Sequence, residues 1–119
     1  MNKRTFDLEE RLIDFVIKVD EVIEQLPSSR LANYLAGQMI RSGTSPALNY
    51  GEAQSAESQK DFVHKMQVIL KELRETRIGL KIVIKKPILN NAQILSVLKE
   101  NEELIAIFAQ SVITAKSKL

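Results

Sequence analysis

The chain has 119 residues, no cysteine, one histidine and a formal net charge of +2. That length suits one domain, residues 1–119, whose core closes without disulfides, and the lack of cysteine excludes a thiolate nucleophile and a cysteine-built zinc site, as is ordinary in a reduced compartment such as the cytoplasm. Met1-Asn2-Lys3-Arg4-Thr5-Phe6 runs straight into Asp7-Leu8-Glu9-Glu10 with no apolar stretch for a signal peptide, and no apolar run nears the ~20 residues of a membrane span, so no membrane partner is expected.

Charge is spread unevenly. Residues 7–26 carry seven acids against Arg11 and Lys18, a balance of −5, whereas residues 60–86 carry eight bases against three acids, a balance of +5. One acidic segment and one basic segment therefore offset each other along the chain.

In the first segment, Leu8, Leu12, Phe15, Val19, Val22 and Leu26 recur in alternating steps of 4 and 3, which predicts a helix with one continuous apolar stripe. Ile13, Val16, Ile17 and Ile23 widen the stripe, as happens when a helix meets more than one neighbour. Pro27 ends it, and Ser28-Ser29 can cap the next helix.

The second segment has a polar seam where core is expected. Leu31, Leu35 and Ala56 lie on one face, and that face is filled between them by Gln38, Arg41, Ser45, Asn49 and Glu52, an arc of about 80° at 100° per residue. Ala32, Ala36, Met39, Ile40, Ala47 and Tyr50 occupy the opposite side, which leaves a narrow solvent strip around Asn33, Gly37, Thr44 and Gln54. Two such faces predict a sandwiched helix. Pro46 predicts a kink between Gly43 and Pro46, or a true break with a new helix starting at Ser45-Pro46.

Ser58 and Asp61 open the third segment as a capping-box-like pair, and Phe62, Met66, Ile69, Leu73, Thr76, Leu80 and Val83 form its stripe up to Pro87. The fourth follows Asn90-Asn91 with Ile94, Leu98, Asn101, Ile105, Phe108 and Val112. Four helices joined by short connections predict an all-α, antiparallel up-and-down four-helix bundle.

Residues for chemistry are scarce. A di-iron bundle needs two Glu-x-x-His pairs and two further carboxylates, which the lone His64 cannot supply, and no nucleophile elbow or glycine-rich phosphate loop is present. No catalytic residue, metal or cofactor is therefore assigned. Arg41, Ser45, Asn49 and Glu52 can satisfy one another and carboxylates such as Glu72, Glu75 or Glu103 on a facing helix, a kind of network that sets register and assembly, although the same seam could line a ligand cavity. Arg74, Arg77, Lys81 and Lys85, at steps of 3, 4 and 4, line one helix face that could follow a phosphate backbone. The six aromatics do not interleave with those bases, so stacking on single strands lacks a platform, and the acidic first helix of the same or a neighbouring subunit is another partner for the stripe.

Gln38-x-x-Arg41-x-x-x-Ser45-x-x-x-Asn49-x-x-Glu52, then Phe62-Val63-His64-Lys65-Met66, Lys71-Glu72, Glu75-Thr76 and Glu103-Leu104 together resemble the small four-helix-bundle proteins encoded in intervening sequences of bacterial 23S ribosomal RNA genes. The resemblance covers most of the chain. It implies a homo-oligomer of five subunits without known catalysis, related in architecture to the accessory bundle protein of diversity-generating retroelements, with ribosomal or other RNA as a further partner. Two departures stand out: Ala53 follows Glu52 where the family commonly has glycine, and Ile78-Gly79 stand where aromatics often follow the Glu-Thr pair. The expectation from residues and resemblance together is a non-catalytic, self-assembling structural bundle, with an RNA-binding accessory role for the basic face as the alternative.

Overall fold

The computed structural model describes residues 7–119 and contains four α-helices: α1 (Leu8–Ile23), α2 (Arg30–Ala53), α3 (Gln59–Lys85) and α4 (Ala92–Lys116). Each helix packs on its sequence neighbour, α2 most extensively on α3, and α1 meets α4 to close the bundle. The backbones of the diagonal pairs α1–α3 and α2–α4 make no close approach among the described residues, and only side chains meet across the centre. The result is the antiparallel up-and-down bundle that the stripes and short connections predict.

Local chemistry sets three of the four starts. Ser29 Oγ accepts the Ala32 N–H at 3.2 Å, Ser58 Oγ accepts the Asp61 N–H at 3.0 Å, and Asn91 Oδ1 accepts the Ile94 N–H at 3.0 Å, each satisfying a first-turn donor that has no helical partner. The capping box at α3 is not reciprocal in the usual way, because Asp61 Oδ2 accepts at 3.4 Å from the Glu57 N–H and not from Ser58.

One apolar cluster runs through all four helices, with Leu12, Phe15, Ile69, Leu73, Leu80, Ile94, Leu104 and Phe108 wholly buried. The stripes of α1 and α3 lie as predicted, except that Leu8, Leu26 and Phe62 are only half-buried at the bundle ends. In α4 the buried set is Ile94, Val97, Asn101, Leu104, Phe108, Val112 and Ala115, so Val97 and Leu104 replace the expected Leu98 and Ile105, which are half-buried flanks.

The second helix departs further. It runs unbroken from Arg30 to Ala53 with Pro46 inside it, so the two-helix alternative fails. Its buried residues are Ala32, Leu35, Met39, Ser42, Gly43, Pro46 and Ala53, a single face. The polar seam therefore lies beside the core and not in it: Gln38, Ser45 and Asn49 are half-buried, and Arg41 and Glu52 are exposed. Tyr50 and Ala47 pack against the chain's own core, Tyr50 edge-on to Phe108 at 5.9 Å, and do not form a second exposed apolar face. The reason is the size of the side chains. α2 carries small residues on several sides, so its rotation follows the closest fit to α3, where an added Cβ on Gly79 would sit 2.8 Å from Met39 Cγ.

Candidate functional site

The densest polar arrangement bridges α2 and α3. Arg41 Nη1 donates to both oxygens of Glu72 at 2.9 and 3.1 Å, and its Nη2 donates to Glu75 Oε1 at 2.9 Å and Gln38 Oε1 at 3.3 Å. Gln38 in turn donates to the Tyr34 hydroxyl at 2.9 Å. The carboxylate of Glu72 is largely withdrawn from water, with its side chain 9% exposed, whereas that of Arg41 is 52% exposed. The charge of Glu72, then its hydrogen bonds and that of Glu75, hold the Arg41 guanidinium above its ordinary value. Behind this rim, Ser42 Oγ and Thr76 Oγ1 lie 2.7 Å apart, and Thr76 also donates to the Glu72 carbonyl at 3.1 Å. With the Thr76 proton directed to that carbonyl, Ser42 is the donor in the pair.

The remaining predicted seam residues go elsewhere. Asn49 donates to the Ser45 side chain at 2.9 Å and to its carbonyl at 3.0 Å, so these two satisfy each other within α2. Glu52 meets Lys65 of α3 at 2.7 Å and does not reach Arg41. Glu103 pairs with Arg11 of α1 at 2.9 Å. The structure thus joins Gln38, Arg41, Glu72 and Glu75, adds Ser42 and Thr76 behind them, and separates Glu52, which takes Lys65, and Glu103, which takes Arg11. An arginine followed at i+1 by a small hydroxyl residue, facing an acid followed at i+4 by a threonine, was the available signal for Ser42 and Thr76.

A second bridge ties α1 to α4. Arg11 donates through Nε and Nη2 to the two oxygens of Glu100 at 2.7 and 2.8 Å, a fork-to-fork geometry that outweighs a single contact. The Glu100 bonds raise the Arg11 guanidinium well above its ordinary value, against a smaller opposing effect of burial. Buried Asn101 donates to the Leu73 carbonyl at 3.1 Å, while its Oδ1 has no partner among the described residues.

The predicted basic stripe is divided. Arg77 turns toward α4 and pairs with Glu102 at 3.0 Å, leaving Arg74, Lys81 and Lys85 exposed on the outer side of α3 with no carboxylate partner among the described residues. Ile78 and Ile82 stand among them, 53% and 38% exposed. A cleft of about 330 Å³ between α2 and α3 is lined by Tyr34, Gln38, Met39, Glu75, Ile78 and Ile82, so the rim of the polar bridge also borders apolar surface. His64 is exposed, and no group of three His, Asp or Glu residues that could hold a metal occurs among the described residues. No described helix is long and apolar enough to cross a membrane.

A family described as 23S rRNA-intervening sequence protein matches residues 4–110 of the chain. Among solved structures, a protein with unknown function from the S23 ribosomal protein family of Bacteroides thetaiotaomicron superposes with a TM-score of 0.76 at 23% identity, covering 87% of this chain and 96% of that one. That likeness is one of fold. Comparison with curated proteins finds no match.

Proposed function

The chain belongs to the 23S rRNA-intervening sequence protein family, and on that footing we propose that it is a non-catalytic bundle that acts in the cytoplasm by assembling with copies of itself, five to a closed particle, as a structural scaffold. The observation that carries this reading is the apolar surface left uncovered on several helices: Ile17 at 52%, Tyr34 at 63%, Leu48 at 64% and Ile78 at 53% exposed. Tyr34, Ile78 and Ile82 border one cleft between α2 and α3, and apolar surface grouped in this way marks a face that another protein covers. The polar groups between the helices are consistent with that reading, since Arg11, Arg41, Ser42 and Thr76 are spent on fixing how the helices fit.

Sedimentation velocity at micromolar concentration tests it. A single species of five times the chain mass of 13.5 kDa is expected; a clean monomer would overturn the reading.

A second reading has its own observation. Arg74, Lys81 and Lys85 project from one face without acidic partners among the described residues, which is the footprint a phosphate backbone requires. On that reading the bundle is an accessory protein for ribosomal or other RNA. The isoleucines among those bases favour the scaffold, because a phosphate backbone gains nothing from apolar side chains at its centre.

A further inference from the structure

The outer face of α1 mirrors that of α3 in charge. On α1 and the Glu24 that caps its C-terminus, Glu10, Ile13, Ile17, Asp20 and Glu24 follow one another in steps of 3, 4, 3 and 4; on α3, Lys71, Arg74, Ile78, Lys81 and Lys85 follow in the same steps. Ile13 and Ile17 are 40% and 52% exposed, matching the exposed Ile78 on the other helix. None of the flanking acids or bases has an ion-pair partner among the described residues. The two stripes are thus the same length, opposite in sign, and each has isoleucine within it.

They cannot meet inside one chain. α1 and α3 are diagonal in the bundle and make no close approach, so their outer faces look away from each other. An α1-to-α1 contact would set acid against acid, and α3-to-α3 base against base. Only α1 of one copy against α3 of another neutralises both.

We propose that copies of this chain join head to tail, with the outer stripe of α1 on one copy laid along the outer stripe of α3 on the next. This rests on the self-assembly reading above and names the surface that performs it. Such an interface is heterologous, and when it closes it makes a ring. In an up-and-down bundle α1 and α3 run in the same direction, and a ring keeps that direction from copy to copy, so the two stripes meet in parallel. That register sets Glu10 beside Lys71, Ile17 against Ile78, Asp20 beside Lys81 and Glu24 beside Lys85, while Ile13 lies under the aliphatic stem of Arg74. Ile78 is already flanked by clefts on both sides: the one toward α2, and one of about 570 Å³ toward α4 lined by Gln67, Lys71, Arg74 and Val112. A helix ridge seats in grooves of this kind.

The absence of native cysteine makes a direct test simple. The double variant Ile17→Cys, Ile78→Cys, oxidised mildly, is expected to give a ladder of disulfide-linked multimers on a non-reducing gel, ending at the ring number, while each single-cysteine variant stays monomeric on that gel. No ladder, or disulfide dimers from Ile17→Cys alone, overturns the interface. Charge reversal supplies an independent measurement on chains whose fold is checked by circular dichroism. Asp20→Lys with Glu24→Lys, and separately Lys81→Glu with Lys85→Glu, should each weaken self-association by at least about tenfold, and all four changes in one chain should restore it. Reversals that leave association unchanged overturn the interface as well. If the wild-type chain is an oligomer and these variants behave otherwise than expected, only the interface fails; if the wild-type chain is a monomer, the self-assembly reading fails with it.

Discussion

At the scale of single residues, the two polar groups drawn into the bundle behave differently. Glu72 is nearly buried but accepts from Arg41 Nη1 on both oxygens, whereas Arg41 keeps half its surface in water. The consequence is an asymmetry: Glu72→Leu frees an arginine that water can solvate, while Arg41→Leu strands a carboxylate that water barely reaches. Thermal melts should therefore show a larger fall in Tm for Arg41→Leu than for Glu72→Leu; equal falls would show that Glu72 finds another donor. Glu52→Ala should leave this bridge intact, because Glu52 faces Lys65. Asn101 is the opposite case, wholly buried with one oxygen unmet. Its value to the fold lies in the bond to the Leu73 carbonyl, which sets α4 against α3. Urea unfolding should place Asn101→Leu within about 1 kcal/mol of the wild type, since an unmet acceptor is removed with its bond. Asn101→Asp should cost about 3 kcal/mol or more, because it buries an unpaired charge.

At the scale of the helix, the glycines of α2 and α3 divide by what surrounds them. An added Cβ at Gly37 or Gly51 meets nothing within 4 Å, whereas at Gly79 it would lie 2.8 Å from Met39 Cγ and 2.9 Å from Met39 Sδ. Met39 is itself 1% exposed, so it has little room to yield. Gly37→Ala and Gly51→Ala should each raise stability by about 1 kcal/mol through backbone entropy, roughly 4 °C in Tm for a chain of this size. Gly79→Ala gains the same term but overpacks the α2–α3 contact, at about 1–3 kcal/mol, and its Tm should fall or at best hold. A Tm raised by Gly79→Ala would mean that α2 and α3 slide apart at little cost. The close approach also accounts for α2's orientation: Met39 of α2 seats on Gly79 of α3 while Gly43 faces Val19 of α1, and the seam is carried to the edge of that contact.

For the whole molecule, the arrangement of charge matters more than the sum of +2. The acidic helix and the basic helix sit on opposite corners, which makes the chain dipolar across its width. If copies neutralise one another through those corners, raising salt should lower the mass measured by sedimentation, and RNA should bind weakly because the bases are already covered. If instead RNA is the partner, the assembled particle keeps its bases free and binding falls steeply with salt. The log–log slope should then drop by about 0.7–0.9 for each of Arg74→Ala, Lys81→Ala and Lys85→Ala. Arg77→Ala should leave that slope unchanged in either case, since Arg77 is held by Glu102. A slope change at Arg77 equal to the others would show that its ion pair opens on binding.

Much of this molecule is written locally in its chain. The steps of 3 and 4 define α1, α3 and α4 as helices and fix the inward faces of α1 and α3, because large apolar side chains have one low-energy destination, whereas α4, apolar on more than one side, turns Val97 and Leu104 inward; Ser29, Ser58 and Asn91 mark where three helices begin because their side chains replace missing backbone partners. The family match spans residues 4–110, and Arg41 does meet Glu72 and Glu75 across the helix gap. Tertiary structure alone decided the rest. The rotation of α2 is undetermined by hydrophobicity when alanine, glycine and serine lie on several sides, so the contact between Gly79 and Met39 sets it. The pairing of Glu52 with Lys65, Glu103 with Arg11 and Arg77 with Glu102 follows from that rotation and from the order of helices around the bundle, because an ion pair depends on a few ångströms in space that spacing along a sequence does not contain.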